Sequence, residues 1–116
     1  MLKPIFLVFL LFYASAQLTG CSSNKGLYYW GRYERLIYDQ YANPGSSDRT
    51  TQIAMLTEDI GRAEAEGQKV PPGVHAHLGY LYYQQGNVDS AIKEFSIEKD
   101  LFPEAKVLMD RFLQKM

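Results

Sequence analysis

The feature that most constrains this chain is its punctuation. Pro44-Gly45, Gly67, Pro71-Pro72, Gly86 and Pro103 fall at short intervals and cut residues 27 to 116 into five stretches. Proline lacks the backbone donor that a helix interior needs, and glycine readily adopts the left-handed conformation that ends a helix. Within the stretches apolar residues recur at helical spacing, and none alternates with period two for long enough to be a strand. The expectation is an all-α fold of five helices with short connections. The first is "LYYWGRYERLIYDQY", residues 27 to 41, with Gly31 inside it. "ANPGSSD" is turn chemistry in which Ser47 or Asp48 can cap the second helix. That helix carries Ile53, Leu56, Ile60 and Ala63 on one face, with Glu58 and Arg62 as an i,i+4 pair, and Gly67 ends it. Pro71-Pro72 opens a third helix, running to Gly86, with proline in its first turn. Asn87 caps a fourth. Pro103 starts a fifth, on which Ala105, Leu108, Met109, Phe112 and Leu113 form a stripe.

Residues 71 to 103 carry Leu78-Gly79, Tyr82, Gly86, Ala91, Phe95, Leu101 and Pro103 at intervals that resemble a tetratricopeptide repeat, a helix–turn–helix unit of about 34 residues. The resemblance implies antiparallel helix pairs. Gly79 and Ala91 are small where two helices cross closely, Gly86 turns the chain, and Tyr82 and Phe95 fill the space between. Two positions depart from the pattern. His75 stands where a large apolar residue is usual, and Glu98 where a small one is. A glutamate buried there unpaired would be costly, so either the following helix takes an unusual angle or Glu98 points to solvent. Only one repeat is clear, and about three are normally needed for independent stability. The other helices then act as partial repeats or caps.

The amino-terminal segment has a different character. Lys3 precedes the apolar run "IFLVFLLFY", residues 5 to 13, which is too short to span a membrane and has the length of a secretory signal. The single cysteine of the chain, Cys21, follows it and has no internal disulfide partner. As a nucleophile it would need a base and an orienting group, and "SSNKG" offers neither. Leu18-Thr19-Gly20-Cys21 resembles the lipobox of bacterial lipoprotein signals. That resemblance implies a diacylglyceryl thioether on Cys21, cleavage between Gly20 and Cys21, and acylation of the new amine. Several acyl chains make a stable anchor. Ser22 and Ser23 follow, and the absence of Asp there implies sorting to the outer membrane, facing the periplasm. The expected organisation is a signal peptide over 1–20, a lipidated cysteine and tether over 21–26, and a helical domain over 27–116. Five tether residues, Ser22 to Gly26, reach at most about 17 Å, so the domain is expected to stay close to its membrane.

Removing residues 1 to 20 leaves 96 residues with 11 basic and 13 acidic side chains. That is one small domain, without the basic stripe that nucleic-acid binding requires. Its core is marginal without help, so part of its stability is expected from a partner. His75 and His77 are two residues apart, about 200° around a helix, and do not share a metal-binding face. Asp89 and Lys93 read as an i,i+4 pair rather than an acid–base couple. With no nucleophile–base set, phosphate loop or cofactor signature, the expectation is a protein without enzymatic activity, small-molecule substrate, metal or cofactor beyond the lipid on Cys21.

"YYWGRYERLIYDQY", "VPPGVHAHLGYLYYQQGNVDSAIKEFSIEKDLFPEA" and "MDRFL" together resemble a family of small bacterial lipoproteins of unassigned biochemical function, over roughly residues 27 to 113. In that family the genes often neighbour one for a lipoprotein similar to the curli secretion channel and one for a second small lipoprotein. The resemblance therefore implies an adaptor in an envelope complex, with other lipoproteins as partners. The competing expectation is a pilotin-like or outer-membrane assembly factor that delivers clients.

As a helix, the first stretch places Trp30, Tyr33, Ile37 and Tyr41 on one face, widened by Tyr29 and Leu36 on one side and Tyr38 on the other. This apolar sector exceeds the roughly 100° that covers one core. Either the helix is buried on two sides or part of the stripe is a docking face, a role that suits Tyr and Trp. Tyr80 and Tyr83 on the third helix would extend that patch.

Overall fold

The computed structural model describes residues 2–3 and 25–116. The rest of the expected signal peptide, the Gly20–Cys21 cleavage point and the tether residues Ser22 to Asn24 lie outside the described residues. Among those described, the chain is all-α, with helices α1 (Tyr33–Ala42), α2 (Arg49–Ala65), α3 (Val74–Gln84), α4 (Val88–Leu101) and α5 (Lys106–Leu113). No described helix is long and apolar enough to cross a membrane.

The local signals operate as their chemistry dictates. Asp48 caps α2 by accepting from the Thr51 amide at 2.9 Å, and Asn87 caps α4 by accepting from the Ser90 amide. Each removes one of the unpaired donors at a helix start. Gly86 adopts φ +79°, and its amide and that of Asn87 bond back to Tyr83 and Tyr82. The chain reverses there, and α3 and α4 pack as a hairpin. Gly79 sits at the crossing, where an added Cβ would lie 3.0 Å from the Phe95 ring.

Two buried clusters form the interior. Leu36, Leu56, Val74, Leu78 and Leu81 join α1, α2 and α3. Ala91, Phe95 and Met109 join α4 and α5, and Phe95 stacks on Phe112 with centroids 5.0 Å apart. Tyr82 packs against both clusters and connects them.

Several expectations need correction. The first helix begins at Tyr33, not Leu27, because Gly31 takes φ +47° and residues 27 to 30 are extended. Tyr28 instead forms a parallel bridge with Lys69, closed by bonds from the Tyr29 amide to Lys69 O and from the Lys69 amide to Leu27 O. Pro71 and Pro72 lie before α3, because Gly73 at φ +92° must come first. Pro103 opens a short 3₁₀ turn, Pro103–Ala105, and the α-helical winding starts at Lys106. Leu101 does not pack within the hairpin. It is 53% exposed at the last position of α4, while Phe102 turns inward against Tyr28. Leu108 is likewise exposed, and Met109 carries the burial on that helix. Asp89 and Lys93 are not paired with each other.

Candidate docking site

The aromatic set expected on one helix face is divided into three parts. Tyr29 and Trp30 lie on the extended segment, outside α1, so Trp30 does not share a helical face with Tyr33, Ile37 and Tyr41. Tyr33 and Ile37 turn inward, partly buried against the first cluster. Tyr38 and Tyr41 on α1, and Tyr80 and Tyr83 on α3, are exposed.

The extended segment is held by polar chemistry. Asp59, on α2 and only 6% exposed, accepts from the Arg32 backbone amide at 2.8 Å. Its other oxygen receives Arg32 Nε at 3.0 Å and Nη2 at 2.8 Å. Arg32 Nη2 also donates to Glu58 and to the Met55 carbonyl, and Arg62 donates to the other Glu58 oxygen at 2.6 Å. The hydrogen bond that Arg32 donates to Asp59, then that to Glu58, raises the Arg32 pKa above its already high ordinary value. Bonds from Arg32 and Arg62 hold the Glu58 carboxyl below its usual range. Glycine is required at position 31, since a Cβ there would stand 2.6 Å from Asp59 Oδ2. Charge-assisted bonds of this kind are about twice as strong as neutral ones, and they fix where the aromatic segment leaves the helical body.

A second polar device closes the hairpin. Glu98, on α4 and 2% exposed, neither points to solvent nor lies unpaired. Its oxygens accept from the Gly73 amide at 2.6 Å and the Ala76 amide at 3.2 Å. A carboxylate thus caps the amino terminus of α3 from across the hairpin, where the helix dipole favours negative charge. Beside it, burial and then the Glu98 charge raise the pKa of the Tyr33 hydroxyl. His75 is buried too, with Nδ1 2.7 Å from Glu94 Oε2. His77 faces a different neighbour, α1, where its Nε2 lies 3.3 Å from Gln40 Nε2. Burial lowers the His77 pKa, and the neutral ring can accept from the Gln40 amide through Nε2.

Between α1 and α3, Tyr33, Gln40 and His77 line an open groove of ≈ 550 Å³. Tyr33 and Ile37 wall it on one side and Tyr80 and Leu81 on the other. Gln40 crosses it, donating to Gln52 Oε1 at 2.7 Å, with Arg49 and Gln84 also on its lining. The groove offers aromatic walls, side-chain amides that can pair with a peptide backbone, and one cation. Among the described residues no group of three or more His, Cys, Asp or Glu is placed to hold a metal ion. Sequence reasoning found Tyr33, Ile37 and Tyr80 but not Gln40, Gln52 or His77 as their neighbours. It also missed Asp59 and the capping role of Glu98.

No curated protein and no solved structure matches the chain. A match to a family does exist, and it starts at Leu27, where the extended aromatic segment begins, and runs through four helices and into the fifth, to Phe112. Since residues 27–112 are thus covered, the chain belongs to the family described as Domain of unknown function (DUF4810).

Proposed function

We propose that this protein is a non-enzymatic lipoprotein, anchored through Cys21 to the periplasmic face of the outer membrane, that serves as a helical adaptor in an envelope complex. Another lipoprotein, one resembling the curli secretion channel, is the leading partner. In this reading Leu18-Thr19-Gly20-Cys21 is a lipobox, and α3, α4 and the start of α5 form a tetratricopeptide-like unit. The observation that carries the adaptor role is the groove between α1 and α3, where Tyr33, Ile37 and Tyr80 flank Gln40 and Gln52. Aromatic walls supply contact area at low entropic cost, and the amides supply adaptable hydrogen bonds. Tyr83, Tyr38 and Tyr41 widen the surface on the outer faces of the same two helices.

The test is co-purification from crosslinked membranes, read by mass spectrometry. Tyr80→Ala together with Tyr83→Ala should reduce recovery of the partner lipoprotein at least tenfold. The melting temperature should fall but the domain should stay folded, because Tyr83 is partly exposed and Tyr80 gives up only a tilted contact on Phe112 at 6.2 Å. Unchanged recovery from a folded double variant defeats the groove as the docking site. For the anchor, Cys21→Ser should abolish incorporation of a fatty-acid analogue and leave the longer precursor. Labelling at the wild-type level sinks the lipobox.

A further inference from the structure

The extended segment ahead of α1 carries an aromatic ledge that the groove does not use. Tyr28 lies edge-on to Trp30 with centroids 6.3 Å apart, and on Phe102 at 6.4 Å. Phe102 sits at the carboxyl end of α4, so the ledge occupies the end of the hairpin opposite the Gly86 turn. Trp30 is 44% exposed while it also lines a small pocket with Leu56, Ala63 and Val74, and Leu27 beside it is more exposed still. In the interior of the molecule such side chains are covered. Here Leu27 and Trp30 stand open on a segment tied at both ends: the bridge to Lys69 holds one end and the Arg32–Asp59 clasp the other.

The position of the ledge says what covers it. Leu27 is six residues from Cys21, a reach of at most about 21 Å, and three of the five linking residues, Ser22 to Asn24, lie outside the described chain. With Cys21 lipidated, the ledge cannot leave the neighbourhood of the bilayer surface. Trp and Tyr are the residues that settle at headgroup level, where an apolar ring body and a polar tip are both accommodated. Lys69 lies exposed beside the segment, and Lys25, exposed at its start, is shared with Glu66 at 3.7 Å, so the cation that suits an anionic headgroup is Lys69.

We propose that Trp30 and Leu27, backed by the half-buried Tyr28 and Phe102, insert at the headgroup level of the bilayer that holds the anchor. The proposal rests on the lipidation of Cys21 and adds a second point of attachment. One flexible anchor leaves a domain free to tumble, whereas an anchor plus a rigid ledge sets its tilt. The hairpin turn at Gly86 and the neighbouring Tyr83 then lie at the end away from the lipid.

Trp30 is the chain's only tryptophan, so its fluorescence reports this contact directly. The full-length product is purified from membranes in mild detergent, its mass is recorded, and it is reconstituted into phosphatidylethanolamine–phosphatidylglycerol vesicles with or without brominated acyl chains. The expected result is a blue-shifted emission, at least twofold quenching by the brominated lipid, and protection from acrylamide. A mass that includes acyl chains with emission insensitive to brominated lipid overturns the ledge and leaves the anchor standing. A mass without acyl chains overturns the anchor and the ledge with it. Protection from acrylamide in native membranes but not in the vesicles means that a protein covers Trp30, which also overturns the proposal.

Discussion

The α3–α4 hairpin and the approach to α1 are held in opposite ways. The hairpin is mainly a packing problem, solved by small residues where the helices cross and by Phe95 filling the space beside Gly79, with Glu98 as a polar latch at its open end. The approach to α1 is an electrostatic problem, in which five hydrogen bonds converge from one arginine on Asp59, Glu58 and Met55. Packing ties the hairpin to the cooperative unfolding of the whole domain. The polar clasp at the margin is joined by apolar contact, since Tyr29 and Trp30 meet Leu56, Ala63 and Val74 at a small pocket beneath it, and whether it opens by itself is what exchange of its amides reads.

Substitutions can break that contrast, beginning with the largest effect. Phe95→Ala empties a fully buried site stacked on Phe112, and should cost about 3–5 kcal/mol. In a domain of this size that is a large share of all stability, and circular dichroism should show the variant unfolded or melting far below wild type. Gly79→Leu should cost about 1–3 kcal/mol by overpacking, since even its Cβ would meet the Phe95 ring at 3.0 Å. An unchanged melting temperature would remove Gly79 from the helix crossing. Asp59→Asn should act differently. Loss of charge at a buried bonding site costs about 1–3 kcal/mol, yet hydrogen exchange of amides 27 to 32 should accelerate far more than that of α3 or α4. Uniform acceleration would mean that the clasp belongs to the same cooperative unit as the hairpin.

The smallest effect is a dependence on pH. Burial depresses the His77 pKa below its ordinary 6.5. The neutral ring is therefore favoured by folding, and the unfolded chain binds the extra proton first. The associated stability is complete above about 6.5 and is lost as pH falls toward the folded value. His77→Gln should flatten melting temperature against pH in that window. It should leave the separate loss at lower pH, where Glu58, Asp48 and Asp110 become protonated, since each is held below its usual carboxylate range. A wild-type profile flat from pH 7 to pH 5 would place His77 in a wetter site than the structure gives it.

The same contrast separates what could be read in the sequence from what could not. The caps Asp48 and Asn87, the turn at Gly86 and the Gly79–Phe95 contact were legible because each depends on residues close in sequence or on a regular spacing. The start of α1 was not legible. Helical periodicity runs smoothly through Tyr29 and Trp30, and what stops the helix is Asp59, 27 residues from Arg32. Pairing at that distance leaves no periodic trace. Glu98 was recognised as a departure from the repeat, but its meaning required the Gly73 amide to be in place. The groove was half legible: its aromatic walls follow from composition, whereas the meeting of Gln40, Gln52 and His77 depends on how three helices approach one another.

The cap supplied by Glu98 also sets an order of events. The Gly73 amide waits for an acceptor 25 residues further along the chain. While the polypeptide emerges from its amino terminus, that donor at the first turn of α3 has only water to bond, until the end of α4 has followed. The open end of the hairpin can be latched only once Glu98 is in place. A truncation that stops short of Glu98 would leave behind a helix with a loose beginning, even though every residue of α3 is present.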